Sequence, residues 1–380
     1  MIKRYINLSK LLERKSFFFF GPRGVGKTTL IHSQLKDRAT IINLLDSRYF
    51  TKLLAEPSLL EEIAAANKSS LVVIDEIQKI PSLLDEVHRL IEEKGIRFLL
   101  TGSSARKLRR GGVNLLAGRA WKAELFPLTY YELDKRFNLE RYLKVGGLPS
   151  VYLSSDPEEE LFAYVDTYLK EEIMHEALVR RLPPFTRFLA SVALSSGNII
   201  NYTKIANDAQ LSPSTAREYF HLLEDTLIGF TVPPWRESKK RKAIQTAKFY
   251  LFDIGVVNTL QKMELGYHSL PDAGKSFEHF IAMELRAFLS YTRNKSKLTF
   301  WRSIYGQEVD FVIGQQLALE VKLTKTVTKR HLKGLKAIKE EGVFSKYFII
   351  SQDKIPAEDN GIIKLHWKDF LDKLWNGEIL

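Results

Sequence analysis

The sequence predicts an α/β protein with a parallel sheet near its N-terminus and a second sheet near its C-terminus. Two short apolar runs that end in polar residues indicate buried strands of the first sheet. A charged hairpin with its turn at Gly314 indicates the second sheet. Because 380 residues exceed one ordinary core, we expect three domains at residues 1–135, 136–265 and 266–380.

The composition limits the classes of function that the chain can carry. It contains no cysteine, which excludes disulfides, cysteine-based zinc sites and cysteine nucleophiles. No apolar stretch is long enough for a secretory signal or a membrane span, so we expect a cytoplasmic protein with no membrane partner. The formal net charge of +12 indicates a polyanionic partner, for which DNA is the first candidate.

The first apolar run, Phe17–Phe20, leads into the loop GPRGVGKT. This loop fits the phosphate-binding motif G-x-x-x-x-G-K-[ST], in which glycines let backbone N–H groups converge on an anion. Lys27 would reach the β- and γ-phosphates of ATP, and the Thr28 hydroxyl would bind Mg²⁺. We expect the nucleotide to contact nine consecutive residues: Gly21, Pro22, Arg23, Gly24, Val25, Gly26, Lys27, Thr28 and Thr29.

The second apolar run, Leu71–Ile74, ends in two acids, Asp75 and Glu76. Open α/β sheets bind ligands at the carboxyl ends of their strands, so both side chains are expected beside the phosphates. Asp75 would hold Mg²⁺ through water, and Glu76 would orient the water that attacks the γ-phosphate. Helix capping by the two acids is the alternative interpretation.

Further polar residues of this region are candidates for nucleotide sensing. A third strand, Arg97–Leu100, ends in Thr101, which competes with Ser103 for contact with the γ-phosphate. Arg119 follows a glycine in a loop and is a candidate arginine finger, which would act across a subunit interface in a homo-oligomer. Its rivals are Arg106, Arg109 and Arg110.

The order of these motifs resembles the AAA+ superfamily. After the phosphate loop come VVIDEIQKIP, LLTGSSA, LAGRA and ELFPLTYYEL. More narrowly, nearly the whole chain is similar to a prokaryotic group of predicted ATPases that carry a C-terminal domain of unknown function. The resemblance implies a P-loop ATPase domain whose catalytic glutamate is Glu76. The sequence departs from the superfamily because it shows no clear sensor-2 arginine in a helical lid. ATP could therefore drive either a power stroke or a slow conformational switch.

The middle region predicts a hinge followed by helices. Gly-Gly and Pro within Val145–Leu153 indicate the hinge, with helices near Glu158–Val179. Ser212 and Pro213 suit the N-cap and first residue of an amphipathic helix. The pattern resembles a winged helix-turn-helix, which implies that this helix contacts DNA and that Lys239–Lys242 lies in the wing. Packing on the ATPase without DNA contact is an equal alternative.

The C-terminal region combines an acidic helix with a hairpin of charged strands. Strands are expected at Thr299–Arg302, Val309–Ile313 and Leu317–Leu323. Asp310 lies on the second strand, and Glu320 and Lys322, two residues apart on the third, point to one face. The helix contributes one more carboxylate to this face, from Glu278 or alternatively from Glu284. Glu308 is a spare carboxylate beside Asp310.

This layout resembles the PD-(D/E)XK nuclease fold of restriction endonucleases and archaeal Holliday-junction resolvases. The resemblance implies that Glu278, Asp310 and Glu320 bind Mg²⁺ or Mn²⁺ and that Lys322 acts on the attacking water or the phosphate. A retained fold without activity is the alternative. A basic stripe beside the pocket is expected at helical spacing: Lys325, Lys329, Lys333 and Lys336.

Overall fold

The computed structural model describes residues 2–66, 70–102, 116–169, 182–265 and 272–380. Its N-terminal region contains a five-stranded parallel sheet with the strand order β2-β3-β4-β1-β5. The strands are β1 (Ser16–Phe20), β2 (Thr40–Asn43), β3 (Leu71–Asp75), β4 (Arg97–Gly102) and β5 (Ala120–Glu124). The parallel α/β architecture expected for this region is confirmed.

The aromatic run of β1 is buried because this strand lies inside the sheet, between β4 and β5. Phe17 and Phe19 point into one core, and Phe18 and Phe20 point into another on the opposite face. The surrounding helices are α1 (Leu8–Leu12), α2 (Lys27–Leu35), α3 (Ser47–Ala55), α4 (Leu59–Ala66) and α5 (Leu83–Lys94).

The middle region is helical and ends in a two-stranded antiparallel ladder. Its helices, with one that precedes it, are α6 (Tyr130–Leu133), α7 (Leu139–Val145), α8 (Pro149–Tyr152), α9 (Pro157–Ala163), α10 (Leu182–Leu194), α11 (Tyr202–Ala209), α12 (Pro213–Asp225) and α13 (Ile254–Leu265). The ladder pairs β6 (Gly229–Val232) with β7 (Lys248–Leu251). Ser212 caps α12 by accepting from Thr215 N at 3.1 Å, as its position predicts.

The long connection between β6 and β7 leaves the middle region and runs beside the C-terminal sheet. Isolated bridges join Pro234 to Phe300 and Ala243 to Ser303. The Trp235 ring packs against Phe344, with 4.9 Å between the ring centroids. This connection therefore covers the edge strand of the C-terminal sheet, which would otherwise expose unpaired backbone groups.

The C-terminal region contains a six-stranded mixed sheet with the order β12-β13-β11-β10-β9-β8. Its strands are β8 (Leu298–Arg302), β9 (Glu308–Ile313), β10 (Leu317–Val321), β11 (Lys346–Ser351), β12 (Ala357–Asp359) and β13 (Ile362–His366). Its helices are α14 (Ala273–Tyr291), α15 (Lys333–Lys339) and α16 (Trp367–Trp375). The strands β8, β9 and β10 form consecutive antiparallel pairs, and β10 pairs with β11 in parallel.

One continuous core of buried apolar side chains connects the three regions, from Ile6 to Ile379. Two smaller cores lie on the outer faces of the N-terminal and C-terminal sheets.

The expected basic stripe is less regular than the spacing indicates, because only Lys333 and Lys336 lie in α15. In the described ranges, no helix is both long and apolar enough to cross a membrane.

Candidate functional site

The candidate nucleotide site lies at the carboxyl edge of the parallel sheet. The phosphate loop follows β1, Asp75 ends β3, and Thr101 lies near the end of β4 between them. The Thr28 hydroxyl donates to Asp75 Oδ2 at 3.0 Å, and the Thr101 hydroxyl donates to Asp75 Oδ1. The structure thus brings together the two side chains assigned to Mg²⁺, and Thr101 orients the carboxylate of Asp75.

Lys27 lies inside the phosphate loop. Its ammonium donates to the carbonyl oxygens of Gly21 at 2.7 Å and Pro22 at 3.1 Å. Gly24 and Gly26 have φ angles of 80° and 91°, a left-handed conformation that side chains with a Cβ rarely adopt. The loop conformation therefore depends on these two glycines, and its N–H groups precede the first turn of α2.

Glu76 combines a strained backbone with a buried carboxyl. Its φ of 64° is left-handed, which is uncommon for a residue other than glycine and occurs often at functional sites. Burial raises the pKa of the Glu76 carboxyl; the Lys27 ammonium opposes that effect and the Asp75 charge adds to it. A carboxyl with a raised pKa near Lys27 suits the role of orienting and deprotonating water.

Arg119 lies at the opposite edge of the same sheet. Its neighbour Ala120 pairs with Ser16, whereas the phosphate loop follows Phe20 at the other end of β1. Four residues of strand correspond to roughly 13 Å, so Arg119 is too far from the loop of its own chain to contact the phosphates. The Arg119 guanidinium pairs with Glu92 at 2.5 Å. The rival candidates Ser103, Arg106, Arg109 and Arg110 lie outside the described residues.

Arg4 is a buried residue of this site that the sequence motifs do not indicate. Its guanidinium donates to the backbone oxygen of Val25 in the phosphate loop at 2.7 Å. It also forms an ion pair with Glu132 at 2.9 Å and donates to the Tyr291 hydroxyl of the C-terminal region at 3.2 Å. One side chain therefore connects the phosphate loop, the end of the N-terminal region and α14.

The middle region also contacts the phosphate loop. The Tyr164 hydroxyl donates to the backbone oxygen of Arg23 at 3.2 Å. A Cβ atom added to Gly24 would lie 3.3 Å from the Tyr164 ring and 3.5 Å from Leu148. A movement of the loop would therefore displace side chains of the middle region.

The predicted hinge at Gly146 and Gly147 is held by Asp253. Asp253 Oδ2 accepts from Gly147 N at 2.8 Å, and Oδ1 accepts from Val256 N at 3.2 Å. Burial raises the pKa of Asp253 to about 6, and the backbone donors oppose that effect. Asp253 thus fixes the start of α13 against this connection.

The acids of the C-terminal region surround a lysine that comes from the middle region. We call Glu278, Glu308, Asp310 and Glu320 the carboxylate pocket. Lys248 Nζ, on β7, lies 2.9 Å from Glu278 Oε1, 2.7 Å from Glu308 Oε1 and 4.0 Å from Asp310 Oδ1. The Tyr250 hydroxyl donates to Glu278 Oε1 at 2.7 Å, so two side chains of β7 enter the pocket.

Lys322 neutralises the other side of the carboxylate pocket. Its ammonium lies 3.1 Å from Asp310 Oδ2 and 2.6 Å from Glu320 Oε1. Val321 N also donates to Asp310 Oδ2 at 2.8 Å. Burial raises the pKa of Glu320 well above its ordinary value, the Asp310 charge adds to this, and the Lys322 ammonium opposes it.

A divalent metal does not fit the carboxylate pocket as it stands. In the described ranges, no group of three or more histidine, aspartate or glutamate side chains has an arrangement that could hold a metal ion. The carboxylate oxygens of the pocket lie 2.6–4.0 Å from the ammonium groups of Lys248 and Lys322. The side chains predicted to bind Mg²⁺ or Mn²⁺, Glu278, Asp310 and Glu320, are here paired with the ammonium groups of Lys248 and Lys322.

Glu284, the rival of Glu278, lies elsewhere. It is fully buried, and it accepts from Tyr130 N at 2.7 Å and from Trp375 Nε1 at 2.8 Å. Burial raises the pKa of Glu284 to about 8. Glu284 therefore connects α6 with α16 and is a structural residue of that contact.

Three family models match successive parts of the chain. Residues 13–134 match an AAA domain, residues 136–266 match a domain of unknown function (DUF8612), and residues 273–368 match another domain of unknown function (DUF4143). The AAA match supports an ATPase in the N-terminal region. The other two matches carry no description of an activity.

The similar curated proteins are uncharacterised. A protein of Mycobacterium tuberculosis is 27% identical over 80% of this chain and 70% of its own length. One from Methanocaldococcus jannaschii is 26% identical over 90% of this chain and 82% of its own length. One from Haemophilus influenzae is 25% identical over 66% of this chain and 64% of its own length. The comparisons thus indicate an AAA-type, P-loop N-terminal region.

Proposed function

We propose that this protein binds and hydrolyses ATP and uses the nucleotide as a switch for binding DNA. The observation that supports the ATPase is the convergence of five side chains at one edge of the parallel sheet: Lys27, Thr28, Asp75, Glu76 and Thr101. Each has the chemistry that its part of phosphoryl transfer requires, and the AAA match covers all five.

We assign a step to each of these side chains. Lys27 would exchange the carbonyl oxygens of Gly21 and Pro22 for phosphate oxygens of ATP. Thr28 and Asp75 would hold Mg²⁺, which neutralises charge on the phosphates. Glu76 would orient the attacking water, with its backbone N–H 3.4 Å from the Thr101 hydroxyl. A γ-phosphate contact by Thr101 would compete with its hydrogen bond to Asp75.

The position of Arg119 favours assembly into a homo-oligomer. Because Arg119 lies at the edge of the sheet opposite its own phosphate loop, an arginine-finger role requires the loop of another copy. Arg119→Ala and Lys27→Ala should each hydrolyse little ATP alone, and mixing them should restore part of the activity. Phosphate release at fixed total protein measures this complementation. A fully active monomer would contradict the role.

Two surfaces support contact with DNA. The solvent face of α12 exposes Arg217 and His221, while its opposite face, including Ala216 and Phe220, is buried. In the long connection between β6 and β7, Lys239, Lys240 and Lys242 are exposed. The backbone N–H groups of Lys239 and Lys240 donate to the Glu341 carboxylate, which ties this part of the connection to the C-terminal region.

DNA binding should be strongly salt-dependent and should use the basic connection. Replacing Lys239, Lys240 and Lys242 by Ala should weaken binding and reduce the slope of log K against log salt by about 3, one for each lost phosphate contact. Fluorescence anisotropy with duplex and branched DNA, with and without a non-hydrolysable ATP analogue, measures this. The matched control replaces three exposed lysines of the N-terminal region: Lys10, Lys36 and Lys52. Equal slopes for the two triple variants would contradict the assignment.

The carboxylate pocket favours a DNA-binding switch over a nuclease. A two-metal or one-metal cleavage mechanism requires carboxylates that are free to bind the cation. Here Lys248 and Lys322 form ion pairs with all four carboxylates of the pocket. We therefore propose that the nuclease-like C-terminal region serves as a binding and docking domain.

A further inference from the structure

Lys248 is placed unlike an ordinary surface lysine. Its side chain is 4% exposed, and its ammonium lies within 4.0 Å of carboxylates from Glu278, Glu308 and Asp310. These three acids belong to α14 and β9 of the C-terminal region, whereas Lys248 begins β7 of the middle region. A buried charge is tolerated only with such compensation, so the acids and the lysine depend on each other.

A second observation is a carboxylate oxygen of the same pocket that lacks a partner. Glu320 Oε2 is buried and has no hydrogen-bond partner among the described residues. A buried carboxylate oxygen without a partner is costly and calls for a ligand. The pocket contains four acids, Glu320 and the three that surround Lys248, but within the described ranges only two ammonium groups, those of Lys248 and Lys322, pair with them. Hydrogen-bond acceptors therefore outnumber the charged donors in the pocket.

We propose that the Lys248 ammonium is the resident cation of the carboxylate pocket, which excludes divalent cations from the native protein, and that its removal admits one. Without the ammonium, Glu278, Glu308 and Asp310 would repel one another in a site with few donors. Carboxylate oxygens are the ligands that Mg²⁺ and Mn²⁺ prefer, so such an ion would relieve the repulsion. This proposal does not depend on ATP hydrolysis or on DNA binding.

Mn²⁺ binding to the nucleotide-free full chain tests the proposal. Electron paramagnetic resonance of free Mn²⁺ should show at least a tenfold tighter site in Lys248→Ala than in wild type. Adding Asp310→Asn to that variant should abolish the new site. Lys364→Ala is the matched control, since it removes another lysine of the C-terminal sheet, 2.9 Å from Asp353, outside the pocket. It should bind Mn²⁺ as wild type does.

Two results would overturn the proposal: equal Mn²⁺ affinity in wild type and Lys248→Ala, or no pocket site in either protein. Lys248→Ser provides a second variant, and circular dichroism reports whether each variant folds. If a variant folds poorly, its thermal midpoint should rise with Mn²⁺ concentration, because a ligand that binds the native state stabilises it. Failure of both variants to fold at any Mn²⁺ concentration would also contradict the replacement of the ammonium by a metal.

Discussion

Glu76→Gln should slow ATP hydrolysis by about 100-fold or more while ATP still binds, which is the usual cost of losing a catalytic base. Gln has nearly the volume of Glu, so the left-handed backbone at this position and the contact with Gln78 can persist. It cannot accept a proton from water, however. Single-turnover phosphate release, together with binding of a fluorescent ATP analogue, separates the chemical step from affinity.

The comparison with Lys27→Ala makes the assignment of Glu76 specific. Lys27 would contact the phosphates in the ground state, so its loss should reduce ATP affinity as well as turnover. Glu76→Gln should reduce turnover alone. Equal hydrolysis rates in Glu76→Gln and wild type would remove Glu76 from the mechanism, and a parallel loss of ATP affinity would assign it to binding.

Local sequence patterns determine most of the N-terminal site. A buried strand, a glycine-rich loop and a helix start follow one another within residues 16–35, so the phosphate loop depends on few distant contacts. The acids at Asp75 and Glu76 follow a second buried strand, and parallel strands end at the same edge. The sequence could therefore predict which side chains meet, but not that Thr101 would bind Asp75.

Contacts between regions could not be predicted in the same way. Lys248 meets Glu308 across 60 positions of sequence, because β7 and the C-terminal sheet pack together only in the complete fold. A single lysine that begins a strand carries no local pattern that distinguishes it from a solvated one. The ion pairs that Lys248 forms with these acids were therefore not foreseen, although the strands that carry Asp310 and Glu320 were predicted within one or two residues.

The same limit applies to the residues that connect the nucleotide site to the rest of the chain. Tyr164 contacts the phosphate loop from the middle region, and Arg4 joins it to α14 through Tyr291. Both contacts involve backbone oxygens of the loop, at Arg23 and Val25. A change in loop conformation on ATP binding would therefore act on the two other regions directly, which is the coupling that an ATP switch requires.

Arg4→Ala should lower the free energy of unfolding by about 3–5 kcal/mol, the range for breaking one partner of a buried ion pair. The Glu132 side chain is 0% exposed, and that of Arg4 is 6% exposed. Removing the guanidinium would leave the Glu132 charge buried, and its remaining donors in the described part of the chain are the N–H groups of Tyr5 and Thr129. Urea denaturation measures the loss.

Arg89→Ala is the control for Arg4, because Arg89 likewise forms ion pairs, in its case with three carboxylates, but lies at the surface with 35% of its side chain exposed. It should lower the free energy of unfolding far less than Arg4→Ala does, because water screens the ion pairs of Arg89. Adding Glu132→Gln to Arg4→Ala should recover part of the stability, because the buried charge disappears with its partner. We expect ATP affinity to be reduced in Arg4→Ala and in this double variant alike, because Val25 O lacks the donor that holds the phosphate loop in both. Recovery of both stability and ATP affinity would show that Arg4 serves only to neutralise Glu132, and the link from the loop to Tyr291 would be ruled out.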